Sequence, residues 1–123
     1  MTAEFDIVAT LRRGVHAFNR GRYLMAQETW EESLAEAGVG DWALLEGLVQ
    51  LAGGLQLRTR HAGMRGAVHL LGQSLILLED YRPQVHGLDV ETLVTEFSAY
   101  IAWLKQVDRP HPALDRLRIP VLR

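Results

Sequence analysis

Carboxylate and amide side chains are concentrated on one helical stretch of this chain, and they are the residues best suited to chemistry. Gln27, Glu28 and Glu31 lie on one flank of the predicted helix, beside its apolar stripe. A carboxylate half covered by a neighbouring helix can have a shifted pKa, a metal ion or a buried partner. The alternative is a solvated acidic helix whose early carboxylates favour the positive end of the helix dipole. The apolar stripe consists of Tyr23, Ala26, Trp30 and Leu34.

A second set of polar side chains lies on the next predicted helix, at about 42–60. Glu46 and Gln50 share a face there with glycines, beside a core stripe of leucines. Each glycine inside a helix costs about 1 kcal/mol relative to alanine, so we expect close approach of another backbone or room for a ligand. A buried Gln50 needs a hydrogen-bond partner, which we predict to be Glu28 or Glu31. The predicted polar cluster therefore comprises Gln27, Glu28, Glu31, Glu46 and Gln50.

Cationic side chains gather at the connection that follows this helix. Arg65 precedes the N-terminus of the next predicted helix, an arrangement that can grip an anion. Arg58 and Arg60 equally suit the C-terminal end of the helix before it, where cations are favoured. The sequence leaves both interpretations open.

Composition and charge limit the classes of function. A chain of 123 residues is long enough for one domain with a core, and 48% hydrophobic with 23% charged residues is ordinary for a globular protein. The net charge of -2 gives no electrostatic case for a nucleic-acid or anionic-membrane partner. The absence of cysteine excludes disulfides, thiolate nucleophiles and cysteine zinc sites. With no signal-peptide pattern and no apolar run of membrane-spanning length, we expect a cytoplasmic protein.

Apolar periodicity and turn residues predict an all-α fold, a compact bundle of about five helices. The helices are expected at about 4–19, 21–37, 42–60, 64–80 and from Asp89 to about 107. Asp41 and Asp89 are predicted as the N-caps of the third and fifth helices. Glycine-containing turns separate the first four, so these should pair as two antiparallel hairpins, with the fifth helix as a cap. Residues 108–123 contain three prolines and should form an extended tail over an apolar groove. We expect 1–123 to be a single domain, with the bundle at 1–107.

A weak internal repeat links the two predicted hairpins. Hairpins with a small residue at the start of the second helix are similar to tetratricopeptide repeats, whose period is somewhat shorter. Such arrays bind peptides, so a protein-interaction scaffold is an alternative function. At a constant offset of 41, the matching residues are Ala26, Trp30 and Leu34 in the first hairpin and Ala67, Leu71 and Leu75 in the second.

The stretch described first also resembles a known family, domain of unknown function 309, which consists of small all-helical bacterial and archaeal proteins. The resemblance covers nearly the whole chain, because further segments fit the family in order. It implies an all-helical fold and carries no established activity. The fitting segments are 47–52, reading Gly-Leu-Val-Gln-Leu-Ala, then Gly66-Ala67 with Leu70-Leu71, and Leu88-Asp89-Val90 with the proline-bearing tail.

The hallmark of that family is similar to Ala-His-Glu-x-x-Glu-x-x-Trp, a motif that invites the label of metal-dependent hydrolase given to some members. Glu28 and Glu31 fit this motif, whereas Gln27 replaces its histidine and Leu34 its tryptophan. A second histidine of the family would fall at about Leu57. Zinc and iron prefer imidazole or thiolate besides carboxylate, whereas Gln offers only an amide oxygen. The remaining oxygen ligands would hold a divalent ion weakly.

We therefore expect a non-catalytic binding or interaction domain without a cofactor, in which the motif glutamates form a buried polar cluster. Its partner would be an unidentified protein or small molecule, or a second copy of the chain. On this hypothesis, Glu31→Ala destabilises the fold by about 1–3 kcal/mol. The alternative is a metal-assisted hydrolase of a small substrate, with Glu28, Glu31 and His16 around a weakly bound divalent ion and Gln50 orienting a water.

Overall fold

Five α-helices form the protein in a computed structural model that describes residues 4–60, 64–106, 116 and 118–123. Single turns of 3₁₀ helix follow the second and fourth helices, and a two-residue antiparallel hairpin pairs Val85 with Leu88 ahead of the fifth. The predicted all-α bundle is confirmed. The elements are α1 (Ile7–Asn19), α2 (Tyr23–Glu32), α3 (Val39–Thr59), α4 (Met64–Leu78), β1 (Gln84–Val85), β2 (Leu88–Asp89) and α5 (Val90–Gln106).

The turn between α1 and α2 depends on a glycine in the left-handed region. Gly21 has a φ of 76°, which a side chain would strain. The backbone amides of Arg20 and Arg22 both donate to the carbonyl of Ala17, at 3.1 and 2.9 Å, and so close the C-terminal end of α1. The predicted break at this point is confirmed. It places Arg20 before and Arg22 after Gly21, directly ahead of the first turn of α2.

Aromatic side chains join the helices into one core. Successive helices pack against each other from α1 to α5, and α3 makes its largest contact with α4. The ring of Phe18 on α1 lies 5.1 Å from that of Tyr23 on α2 and 6.1 Å from that of Phe97 on α5, in edge-to-face geometry. Trp30 is completely buried beside them. The first helix is therefore tied to the last through the core.

Glycines allow close helix packing at three places. A Cβ at Gly47 or Gly54 on α3 would lie 2.9 Å from a leucine of α4, so these two positions bring α3 and α4 together. Of the two roles expected for the glycine face, close approach of another helix is the one found at these positions. Gly14 on α1 plays a part that the sequence did not indicate. A Cβ there would lie 2.1 Å from the indole Nε1 of Trp30, so the indole packs directly on the α1 backbone.

Helix ends differ from the predicted ones around residues 33–41. The second helix ends at Glu32 rather than near 37. At this end, the hydroxyl of Ser33 donates to the carbonyl of Thr29 at 2.9 Å. The third begins at Val39 with Gly38 as its N-cap, so the prediction of Asp41 as N-cap is wrong. The Asp41 carboxylate instead lies 2.7 Å from Nε2 of His86 and ties the β-hairpin to α3.

The C-terminal segment 118–123 lies against the bundle as an irregular strap. Leu122 is buried, and the Asn19 side chain both donates to its carbonyl at 2.8 Å and accepts from its amide at 2.7 Å. The amide of Asp89 donates to the carbonyl of Arg123 at 2.8 Å. The expected tail over the apolar core is confirmed for this segment. The rest of the predicted tail, at 108–115 and 117, lies outside the described residues, as does the predicted helix end at 107.

None of the described helices combines the length and the apolar character that crossing a bilayer requires.

Candidate functional site

The motif glutamates face solvent. Helix α2 buries Tyr23, Ala26 and Trp30, and this helical phase turns Glu28 and Glu31 outward. Both carboxylates are exposed, and neither makes a hydrogen bond or ion pair within the described part of the chain. The expectation that they are buried is wrong. Complete burial of Trp30 fixes the rotation of α2, and at that rotation both carboxylates reach water.

Two members of the predicted polar cluster meet on α3. Gln50 Nε2 donates to Glu46 Oε1 at 3.2 Å, so its partner is one turn earlier on the same helix and not a motif glutamate. Gln50 Oε1 is buried and has no hydrogen-bond partner among the described residues. Gln27 is half-buried against α3, where a Cβ at Gly53 would lie 3.4 Å from its Nε2. The cluster is thus divided between a half-buried α2–α3 contact and the exposed face of α2.

A metal centre does not fit the residues that the structure describes. No three His, Cys, Asp or Glu side chains among them are grouped so that they could hold an ion. His16 is exposed on α1, and Leu57 is half-buried on the side of Gly66 in α4. The weakly bound divalent ion stays a prediction without a ligand set in the described ranges, and no reaction step follows from it.

A cleft at one end of the bundle was not predicted. Two adjoining cavities of about 330 and 490 Å³ lie where the α1–α2 turn, the C-terminal end of α3 and the C-terminal segment meet. They share part of their lining, so a ligand can extend from one into the other. The residues that define this arginine cleft are Arg20, Arg22, Tyr23, Thr59, Arg60 and Arg116.

Positive charge dominates the arginine cleft, although the whole chain carries a net charge of -2. None of its four guanidinium groups makes a hydrogen bond or ion pair with another described residue. Glu28 lies at the edge of the larger cavity and is the one acidic side chain among the described lining residues. The first glutamate of the motif therefore borders the cleft. Unpaired guanidinium groups in this arrangement can bind an anion.

Tyr23 forms a largely buried wall of the cleft. Burial raises the pKa of its hydroxyl above the ordinary value, and the charge of the nearby Arg116 guanidinium opposes that shift. The net shift is upward, so the hydroxyl stays protonated at neutral pH and can donate a hydrogen bond into the cleft. Thr59, which also lines both cavities, already donates from its hydroxyl to the carbonyl of Gln56 at 3.3 Å.

Some signals of the cleft were present in the sequence. The Arg-Gly-Arg turn at 20–22 and the basic connection after α3 were both visible, and Arg60 does line the cleft. Arg58, in contrast, is buried. Arg65 is exposed on α4 and is not among the residues that line either cavity. The contribution of Arg116 had no signal, because it depends on how a distant segment returns to the bundle.

Comparison with known proteins gives one family. Residues 11–70 match the model of a family described as Domain of unknown function (DUF309). The match begins within α1, includes all of α2 and α3, and ends within α4, so it contains the degenerate motif and three of the four cleft arginines. No curated protein and no solved structure gives a significant match. The resemblance seen in the sequence is confirmed over this segment, and the family description assigns no activity.

Proposed function

We propose that this chain, whose residues 11–70 match the model of that family, is a small non-catalytic binding domain with the arginine cleft as its ligand site. The observation that carries the proposal is the convergence of four unpaired arginines on adjoining cavities of about 330 and 490 Å³. Volumes of this order suit a small molecule. Charged groups that converge on a concave site without a protein partner are typical of a place where a ligand completes the interactions.

The chemistry of the cleft favours binding over catalysis. Its described lining includes no Ser, His or Cys, the side chains that most often act as nucleophile or base. The Thr59 hydroxyl donates to a backbone carbonyl of its own helix rather than to a base. The groups turned towards a ligand are guanidiniums, a phenol and a carboxylate at the edge, which hold and orient polar atoms.

A screen of small polar compounds by amide chemical shifts tests the proposal. We expect bound compounds to shift amides of the α1–α2 turn and of the end of α3, and to be recovered unchanged. Thr59→Trp should fill the cleft and abolish these shifts, whereas Thr95→Trp, the same change at an exposed position of α5, should preserve them. Shifts that scatter over the surface, or that survive Thr59→Trp in a folded protein, would contradict the proposal.

A second candidate function, a tetratricopeptide-like scaffold for peptides, is supported by the burial of the internal repeat. Ala26 and Ala67 are both fully buried, and so are Trp30 and Leu71 at the next matching position. The two hairpins α1–α2 and α3–α4 therefore use matching positions in their cores. Selection from a random peptide library tests this function, since selected peptides should shift amides along α1 and α3 and bind equally well to Thr59→Trp.

A further inference from the structure

We infer that the arginine cleft is an oxyanion site that takes a small phosphate monoester. The inference rests on the proposed function and adds the chemical class of the ligand. It follows from the number of guanidinium groups, their lack of protein partners, the helix end beside them and the size of the space that they surround.

The charge balance of the cleft calls for more than one negative charge on the ligand. Among the described lining residues, four arginines contribute four positive charges and Glu28 contributes one negative charge. A phosphate monoester carries between one and two negative charges near neutral pH and offers three terminal oxygens. A carboxylate offers two oxygens and one charge, so it would leave more of the guanidinium donors unsatisfied.

Several arginines outside the cleft have local partners. Arg82 is paired with both Glu79 and Glu91, and Arg123 is paired with Glu96 at 2.9 Å. The guanidinium of Arg118 lies 4.6 Å from the ring centre of Trp103. Arg12 and Arg65 also make no side-chain hydrogen bond or ion pair with a described residue, but neither lines the cleft. The four cleft arginines differ because they lie together around adjoining cavities, where an external anion can supply a partner.

Helix α2 adds a further source of positive potential. It has ten residues and begins at Tyr23 on the wall of the cleft. Its N-cap residue is Arg22, which makes no side-chain capping hydrogen bond, so the free amides of the first turn lack a side-chain acceptor at the cap. Helix N-termini favour anions through these amides and through the helix dipole. An oxyanion beside Arg22 gains both contributions.

Three separate parts of the chain supply the guanidiniums, and the C-terminal segment is one of them. Arg20 and Arg22 come from the α1–α2 turn, Arg60 caps the end of α3, and Arg116 comes from the segment that leads to the strap. Arg116 and Tyr23 both line each of the two cavities. A tetrahedral phosphate can accept hydrogen bonds from several directions, which suits donors that approach from different elements.

Titration with inorganic phosphate and with glycerol phosphate, followed by amide shifts and calorimetry, tests the inference. Sodium acetate and sodium chloride at matched ionic strength serve as anion controls. We expect saturable binding of both phosphates at the cleft, tighter for the monoester, with acetate binding at least about tenfold more weakly.

Arg116→Gln and Arg22→Gln should each weaken phosphate binding about tenfold, the loss expected for one charge-assisted contact. Arg12→Gln, an equal charge change at an exposed residue beside a separate cavity, should leave it unchanged.

Each outcome separates this inference from the proposed function. If Arg12→Gln weakens phosphate binding equally, or if acetate binds as tightly as phosphate, the phosphate site is overturned. Either result would indicate non-specific attraction of anions to positive charge. If neutral compounds bind at the cleft while both phosphates do not, the inference fails and the proposed function stands. If no compound of any charge binds there, both fail. Circular dichroism of each variant establishes that it is folded before binding is compared.

Discussion

A single missing side chain on α1 makes room for the largest residue of the core. The indole of Trp30 lies so close to Gly14 that an added Cβ would lie 2.1 Å from its Nε1. We expect Gly14→Ala to destabilise the protein by about 1–3 kcal/mol, because overpacking outweighs the gain of about 1 kcal/mol in helix propensity. Urea unfolding followed by circular dichroism measures the difference.

Gly72 on α4 provides the matched control for this prediction. It also lies inside a helix, but nothing lies within 4 Å of a Cβ built on it. Gly72→Ala should therefore stabilise the protein by about 0.5–1 kcal/mol through propensity alone. If Gly14→Ala shows the same gain as Gly72→Ala, the close contact with Trp30 does not limit the size of residue 14.

The environment of Glu31 in the structure differs from the one that the sequence predicted. The motif suggested a buried carboxylate, yet its side chain is exposed and has no partner among the described residues. We expect Glu31→Ala to change the free energy of unfolding by less than about 0.5 kcal/mol, as for other surface substitutions. Trp30→Ala, one residue away and fully buried, should cost about 3–5 kcal/mol. A loss above 1 kcal/mol in Glu31→Ala would restore the buried-cluster hypothesis.

Helix existence and phase were predictable from the sequence, because apolar spacing directly reflects which face is buried. Leu44, Leu48, Leu51 and Leu55 of the predicted stripe are all fully buried on α3. The flank of α2 was harder to predict, since positions beside a stripe are covered or exposed according to where the neighbouring helix lies. Residues 84–89 were also missed as a β-hairpin, because two-residue strands carry too few positions to show an alternation.

The start of α5 should make stability depend on acid pH. Asp89 accepts from the amide and the hydroxyl of Thr92, at 2.9 and 2.6 Å, which confirms the predicted N-cap and lowers the pKa of its carboxyl. Hydrogen bonding to Arg82 lowers the pKa of Glu91 beside it. A lowered pKa in the folded state stabilises the protein above the unfolded-state value and is lost as pH falls. We therefore expect the free energy of unfolding to decrease from about pH 5 downward.

Asp89→Asn isolates this contribution, because asparagine keeps an N-cap acceptor without a titrating group. The variant should lose less stability than the wild type between about pH 5 and pH 2, as measured by urea unfolding at each pH. Glu32→Gln, at an exposed residue of α2 whose side chain makes no hydrogen bond with a described residue, should follow the wild-type curve. Parallel curves for the wild type and Asp89→Asn would rule out this N-cap as a source of the pH dependence.

At the scale of the molecule, the ligand site was less predictable than the fold. The fold follows from short-range periodicity within each helix, which one sequence displays. The arginine cleft depends on residues as far apart as Arg20 and Arg116, and no local pattern records that they meet. The same holds for the two hydrogen bonds between the Asn19 side chain and Leu122, which hold the C-terminal segment beside the cleft.

We expect the whole chain to unfold as one domain, because contacts between distant elements close the bundle. Phe18 on α1 meets Phe97 on α5 at 6.1 Å, whereas repeat arrays contact only their neighbours and lose cooperativity. Tryptophan fluorescence, which reports on α2, α3 and α5, and far-ultraviolet circular dichroism should therefore give the same urea midpoint. Phe97→Leu should reduce the free energy of unfolding by about 1–2 kcal/mol and so lower both urea midpoints together. Val39→Ala, at a fully exposed position, should move neither midpoint. Midpoints that separate in Phe97→Leu would show hairpins that unfold independently, and would favour the tetratricopeptide-like scaffold over a single binding domain.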